Sequence, residues 1–240
     1  MRLEWIIGIA VMAVAAFVLV AGCGAVMGSG DLITLKEDYG EFSRIEADTA
    51  FDVEIRAGGT HEVAITVDDN LEEYLEVEVS GDTLKISMED GNSYTDTTRE
   101  AVVTMPELEE FSASDAVDAS VSGFEGLSSL RIDLSDASEL DGTGLTVDTL
   151  EVDASDASKV RLGGSGDTAE LRASDASELD LLDFSLKEAN VKLQDASNGT
   201  VTVTESLTAD VSDASSLGYA GAPMVQDFDI SDGSDIDTLD

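Results

Sequence analysis

The chain has 240 residues, of which 42% are apolar and only 5% aromatic, so a packed core is feasible and has to be built from Val, Leu, Ile and Ala. Twelve basic residues face 52 acidic ones, a formal net charge of −40, which repels nucleic acid and anionic lipid headgroups and argues against both as partners. A high-salt habitat, where the screening length shrinks to about 3 Å at 1 M, is the preferred account of this acidity, with cation binding as the alternative.

The first element is an uninterrupted apolar run from Ile6 to Ala21, preceded by Arg2 and closed by Gly22-Cys23-Gly24. The run is shorter than the ~20 residues of a membrane-spanning helix and has the proportions of a signal-peptide core. Val20-Ala21-Gly22-Cys23 resembles the lipobox of prokaryotic lipoproteins, in which the chain is cut before the cysteine and the sulfur takes a lipid. Residues 1–22 are therefore expected to be a signal peptide, or an uncleaved N-terminal membrane anchor. Residues 23–32 are expected to be a tether lipid-anchored through Cys23, with Gly24 to Gly30 flexible. Both readings place the remainder on the extracellular face of the cytoplasmic membrane, or on the periplasmic side where an outer membrane exists. Cys23 is the only cysteine, which leaves no intramolecular disulfide.

Residues 33–110 read as short strands joined by Gly-containing turns. Phe51 to Ile55 alternates, Gly58-Gly59 turns, and Val63 to Val67, Leu75 to Val79, Leu84 to Ile86 and Ala101 to Val103 follow. This β-rich part is expected to cap the open end of what comes next. Gly91 to Thr98 reads as a polar loop.

Residues 111–236 repeat. A tetrapeptide close to Ser-Asp-Ala-Ser begins at Ser114, Ser135, Ser155, Ser174, Gln194, Ser212 and Ser231, at intervals of 21, 20, 19, 20, 18 and 19 residues. Relative to its first residue, positions −3 and −1 are apolar in all seven units. Position +2 is Ala in six of them, and position +5 is apolar or Gly. Period two on either side of an offset means strand, corner, strand, and all four columns are expected to point inward. The predicted fold is all-β: a single-stranded, right-handed parallel β-helix of about 19–20 residues per coil, preceded by the β-rich cap and followed by a tail at 237–240.

The second residue of every unit is acidic: Asp115, Asp136, Asp156, Asp175, Asp195, Asp213 and Asp232. In one reading Asp is the corner residue, tolerated near the left-handed region. In the other, the stacked carboxylates form a ladder that collects Ca²⁺ or other cations, relieving a repulsion of about 1 kcal/mol per neighbouring pair. The flanking hydroxyls, Ser138 to Ser234, would form a parallel hydrogen-bonded ladder beside it.

Together these features resemble the putative auto-transporter adhesin head GIN domain family over roughly residues 40 to 235. The carrying residues are Phe42-Ser43-Arg44-Ile45, Phe51 to Ile55, Val67-Asp68-Asp69-Asn70-Leu71, Met105-Pro106-Glu107-Leu108 and Gly218 to Pro223. Where that family typically has Ser-Gly-Ala-Ser at the coil corner, this chain has Ser-Asp-Ala-Ser, which fits the corner reading and adds acidity. The resemblance implies a β-helical envelope protein rather than a reaction.

No catalytic constellation stands out. His61 is the lone histidine and reads as a solvated loop residue. With one His and one Cys there is no Cys/His metal site, and no phosphate or dinucleotide fingerprint is present. Carboxylate pairs are plentiful, but a carbohydrate-active β-helix would set them beside sugar-stacking aromatics or a base, and Lys and Arg are scarce. Asn198-Gly199-Thr200 is a glycosylation sequon, and Asp229 to Asp240 lacks the spacing of an EF-hand loop. The expected function is a non-catalytic adhesion or envelope-interaction module for a glycan or protein, with convergence of Tyr74, Tyr94 and Tyr219 as its marker. The alternative is a structural envelope component stabilised by cations or high salt.

Overall fold

The structure, a computed structural model, describes residues 25–239. The apolar run Ile6–Ala21 and Cys23 lie outside the described residues. In chain order the strands are β1 (Ala25–Met27), β2 (Leu32–Glu37), β3 (Arg44–Ala47), β4 (Asp52–Ala57) and β5 (Glu62–Asp68). A short 3-10 helix (Asp69–Tyr74) leads to β6 (Leu75–Ser80), β7 (Thr83–Met88), β8 (Ser93–Thr95), β9 (Arg99–Met105), β10 (Glu110–Ala113) and β11 (Asp118–Ser122). The repeats follow as β12 (Leu127–Leu134), β13 (Glu139–Ala154), β14 (Lys159–Ala173), β15 (Glu178–Leu193) and β16 (Asn198–Val211). The chain ends in β17 (Ser216–Ala220), β18 (Val225–Ile230) and β19 (Asp235–Thr238).

From β10 onward each coil stacks in parallel register on the next, and the chain is a β-solenoid as the periodicity predicts. Every corner is a turn with two consecutive left-handed residues. The corner Asp residues have φ between 53° and 57°, the Ala after six of them has φ between 62° and 64°, and Gly233 after Asp232 has φ of 78°. The N–H of Ser138 donates to Ser135 O at 3.2 Å, closing the four-residue turn, and the same bond recurs at Ser158, Ser177, Ser215 and Ser234. Positive φ at both central residues is the signature of a type I′ turn. Asp tolerates that conformation, and Ala adopts it at a cost.

This geometry corrects the expected inward set. In the first six units positions −3, −1 and +5 are buried, as in Ile132, Leu134 and Leu140, but the Ala at +2 is exposed. Two left-handed residues swing the chain so that the fourth residue enters the core instead: Ser138, Ser158, Ser177, Ser197 and Ser215 are at most 1% exposed. These hydroxyls do not bond each other in a row. In alternate coils a backbone N–H of the preceding coil donates to them: Val117 N to Ser138 Oγ at 3.2 Å, Ser158 N to Ser177 Oγ at 3.2 Å, and Ser197 N to Ser215 Oγ at 3.1 Å, whereas the Oγ atoms of Ser158 and Ser197 are buried without a hydrogen-bond partner among the described residues. The corner itself is tied along the stack by Ala N–H to the next coil's Asp carbonyl, for example Ala137 N to Asp156 O at 2.9 Å. On the opposite side of the coil, Phe124, Leu145, Phe184 and Val203 fill the second bend. Gly164 belongs to that bend because a Cβ there would stand 2.0 Å from Leu145 O.

The solenoid begins earlier than its sequence repeat. β3 and β4 form a coil with a corner of the same kind, Thr49 and Ala50 having φ of 60° and 51°, and Ala50 N donates to Asp115 O at 2.8 Å. That coil is flanked on one side by β10 and β11 and on the other by β7 and β9, all in parallel register. β5 then lies antiparallel on β9, β2 antiparallel on β5, and β6 antiparallel on β7, closing this end as the expected cap.

Two stretches expected to be loose are fastened. β1 pairs in parallel with β8, inside the segment read as a polar loop. The residues after β1 are pinned by Asp68, which is 2% exposed and accepts the N–H of Gly30 and of Thr98, each at 2.7 Å. Asn70 adds a bond from Ser29 N at 3.0 Å and donates to Met27 O at 2.9 Å. Gly28 has to be glycine, since its Cβ would meet Asp96 O at 2.4 Å and both Asp68 carboxylate oxygens at 2.8 Å.

The corner strain predicts that Ala157→Val lowers the denaturant midpoint, at about 1–3 kcal/mol, while Ala157→Gly does not lower it. The donors around Asp68 hold its carboxyl below the usual range. Its stabilising contribution is therefore complete above the unfolded-chain pKa of about 3.9 and is lost as pH falls through the lower folded value. Asp68→Ala is expected to speed amide exchange in residues 25–31 and 96–98 about tenfold or more, with the repeats unchanged.

Candidate functional site

The solenoid exterior is organised by register. Parallel strands place equal positions of successive coils side by side, so outward residues form columns about 4.8 Å apart. One column on the β10 face runs Arg44, Glu110, Arg131, Glu151, Glu170, and the neighbouring one carries Asp133 and Arg172. The charges alternate from Arg44 to Glu151. Arg131 reaches Asp133 at 3.3 Å and Glu110 at 3.9 Å and also pairs with Glu151, which Arg172 meets at 3.6 Å. Each exposed pair is worth little alone, but the chain of pairs lifts the like-charge penalty from this face.

The β11 face is different. Glu100, Asp52, Asp118 and Glu139 follow one another in register, all exposed, before Lys159 interrupts the column. Glu54 and Ser120 stand in the next column, and with Asp52, Glu100 and Asp118 they line a shallow, open depression. Burial pushes the Asp118 carboxyl up, and Asp52, Glu139 and Asp141 add to the effect. Asp48, beside the first corner, is raised in the same way by burial and by Asp115, Asp90 and Glu46.

The corner column Asp115, Asp136, Asp156, Asp175, Asp195, Asp213 and Asp232 lies on one exposed edge. The structure supports the corner reading for these residues through their left-handed φ. Among the described residues, no group of three or more His, Cys, Asp or Glu side chains is disposed to hold a metal ion.

The aromatic marker is split. Tyr74 and Tyr94 meet edge to face at 6.1 Å near the capped end, where Tyr94 Oη donates to Glu89 O at 2.8 Å and the Arg99 guanidinium lies 5.9 Å from its ring. Tyr219 is buried far along the chain against Phe228, with ring centres 5.8 Å apart. His61 is not a free loop residue. Its Nε2 is 2.8 Å from Phe42 O and its ring packs on Phe42 at 4.8 Å, so it fastens the β2–β3 connection to the β4–β5 connection. Asp68 and Asn70, the residues that fasten the N-terminal segment, carried no role in the sequence reading. Their signals were their place in the Val67 to Leu71 stretch that carries the family resemblance and their polarity directly after an alternating strand.

A parallel stack of coils with a columnar charged exterior defines the class of β-solenoid proteins. The chain belongs to the family described as "Putative auto-transporter adhesin, head GIN domain", whose model matches residues 41–223. Among solved structures it resembles a putative adhesin of Bacteroides fragilis, with 22% identity and a TM-score of 0.83 over 89% of this chain and 100% of that one. It also resembles a putative adhesin of Parabacteroides merdae, with 19% identity and a TM-score of 0.70 over 90% of this chain and 100% of that one. A protein of Parabacteroides distasonis described as a putative lipid binding protein is 19% identical, with a TM-score of 0.69 over the same shares. At these identities the likeness is one of fold. No curated protein matches the chain.

A carboxyl whose folded pKa is raised destabilises the fold above that pKa, and the penalty is relieved as pH falls through it. Asp118→Asn is therefore expected to raise the thermal midpoint at neutral pH in low salt. The gain should shrink in molar salt, where the share due to Asp52, Glu139 and Asp141 is screened.

Proposed function

We propose that the chain is a non-catalytic, lipid-anchored adhesion module of the cell envelope that presents the solenoid exterior to a glycan or protein. The observation that carries this reading is membership of the adhesin head family across residues 41–223, which points to the cell surface. The exterior agrees with it. The acidic depression on the β11 face is shallow and open rather than a cleft. No helix among the described residues is long and apolar enough to cross a membrane. Anchoring is accordingly assigned to the first 23 residues and to lipid on Cys23. This gives the protein a membrane partner through its acyl chains while its acidic body stays clear of anionic headgroups.

The second reading, a coat component stabilised by cations, is favoured by the acidic run Glu100, Asp52 and Asp118 and by the corner Asp ladder from Asp115 to Asp232. Ca²⁺ or monovalent salt would lower the repulsion in both.

Two measurements separate these readings. Cys23→Ser is expected to abolish lipid labelling and release the protein from the membrane fraction. Labelling that survives the substitution overturns the lipoprotein assignment. The ectodomain from Gly24 onward is expected to be retained saturably by the producing cells' envelope fraction at native salt. Absence of retention with and without calcium rejects specific adhesion, and stabilisation by calcium alone leaves the coat reading.

A further inference from the structure

The two ends of the solenoid are finished differently. At one, antiparallel β2, β5 and β6 close the stack. At the other, β18 pairs with β16 and β19 with β17, and no described residue pairs with their outer edges. These two strands continue the core columns to the end of the stack: Phe228 lies over Ala209, Ile230 over Val211 and Ile236 over Leu217. The same columns are buried in every preceding coil. Here Phe228 and Ile236 are only half-buried and Ile230 is 46% exposed, with Val225 58% and Met224 87% exposed beside them. The outward positions between them are Asp227, Asp229, Asp235 and Asp237. No Lys or Arg follows Lys192 in the sequence, so the ion-pair network that neutralises the earlier coils is missing from this end.

We propose that the outer edge of β18 and β19 is a docking site for an extended strand from another protein, in which apolar residues alternate with Lys or Arg. The proposal rests on the adhesion reading and assigns it a place and a mode of contact. A free strand edge offers backbone donors and acceptors at strand spacing, and alternate side chains of an added strand face opposite sides of the sheet. In register, the apolar residues of such a strand would cover Phe228, Ile230 and Ile236, continuing the core by one layer. Its basic residues would stand beside Asp227, Asp229, Asp235 and Asp237. Charge complementarity selects this partner over a second copy of the chain, whose equivalent edge would bring Asp227 and Asp229 against carboxylates of the same kind.

The test uses the full chain and two synthetic octapeptides of one composition, with Ile and Lys alternating in the first and grouped in blocks in the second. The alternating peptide is expected to bind saturably at one per chain and to slow amide exchange in residues 225–230 and 235–238. The block peptide should bind at least tenfold more weakly, without that protection. Met224→Lys and Ile230→Lys should each weaken binding about tenfold, whereas Asp141→Asn, on the β11 face, should leave it unchanged. Equal binding of both peptides, or protection spread over the acidic faces, overturns the proposal in favour of general charge attraction. Protection of β18 without peptide, growing with protein concentration and accompanied by a doubled mass in sedimentation, overturns it in favour of a second copy. Envelope retention that survives Met224→Lys and Ile230→Lys removes the docking site while leaving adhesion intact, whereas loss of all retention in the native chain removes both.

Discussion

Everything in this fold depends on two adjacent residues in the left-handed region. Once per coil, Asp and Ala turn the chain through a corner that an ordinary strand cannot make, and stacked corners hold one another by Ala N–H to Asp carbonyl bonds. In alternate coils the fourth corner residue, Ser138, Ser177 or Ser215, offsets part of the cost of the turn by burying its hydroxyl as an acceptor for the neighbouring coil. A single such corner would be unfavourable, because left-handed Ala is strained. Repetition makes it viable, since each coil supplies the hydrogen-bond partners and the apolar floor of the next.

Parallel register sets the electrostatics as firmly as the packing. Any outward residue type repeated from coil to coil becomes a line of like charges, and an acidic chain has few bases with which to break the line. The bases it has are concentrated: Arg44, Arg131 and Arg172 stitch the β10 face, and Lys159 and Arg161 interrupt the β11 columns. The acidity is thus unevenly compensated along the stack. The uncompensated places are the run Glu100, Asp52 and Asp118 and the coils after Lys192.

Much of this was legible in the residues because the solenoid writes its period directly into the chain. The seven corners, the inward columns before and after them, and the strands β4 to β7 and β9 agree with the pattern. The inward Ala was misread because hydrophobicity alone suggested it, while the turn geometry sends the polar Ser inside. The first coil escaped notice because Thr49-Ala50-Phe51 has the corner's backbone without its sequence, and because its spatial neighbour β10 is distant in the chain. The fastening of residues 25–31 was invisible for a related reason. Asp68 and Asn70 act across a sequence separation that no local pattern records. The tyrosines failed as a marker since composition says how many aromatics exist and nothing about which of them the core absorbs.

The order of coils in space departs from the order of coils along the chain at one point: β3 and β4 sit between strands made later on both sides. Synthesis from the N-terminus delivers this coil before either neighbour: β7 and β9 cover one side once residue 105 is made, and β10 and β11 cover the other only at residue 122. The final assembly is therefore a closure, with the early coil clasped between late ones, while every coil beyond it can be added one at a time. Unravelling under tension inherits the same asymmetry. Peeling proceeds coil by coil from the β19 end, but at the other end it meets a clasp that has to open as a unit.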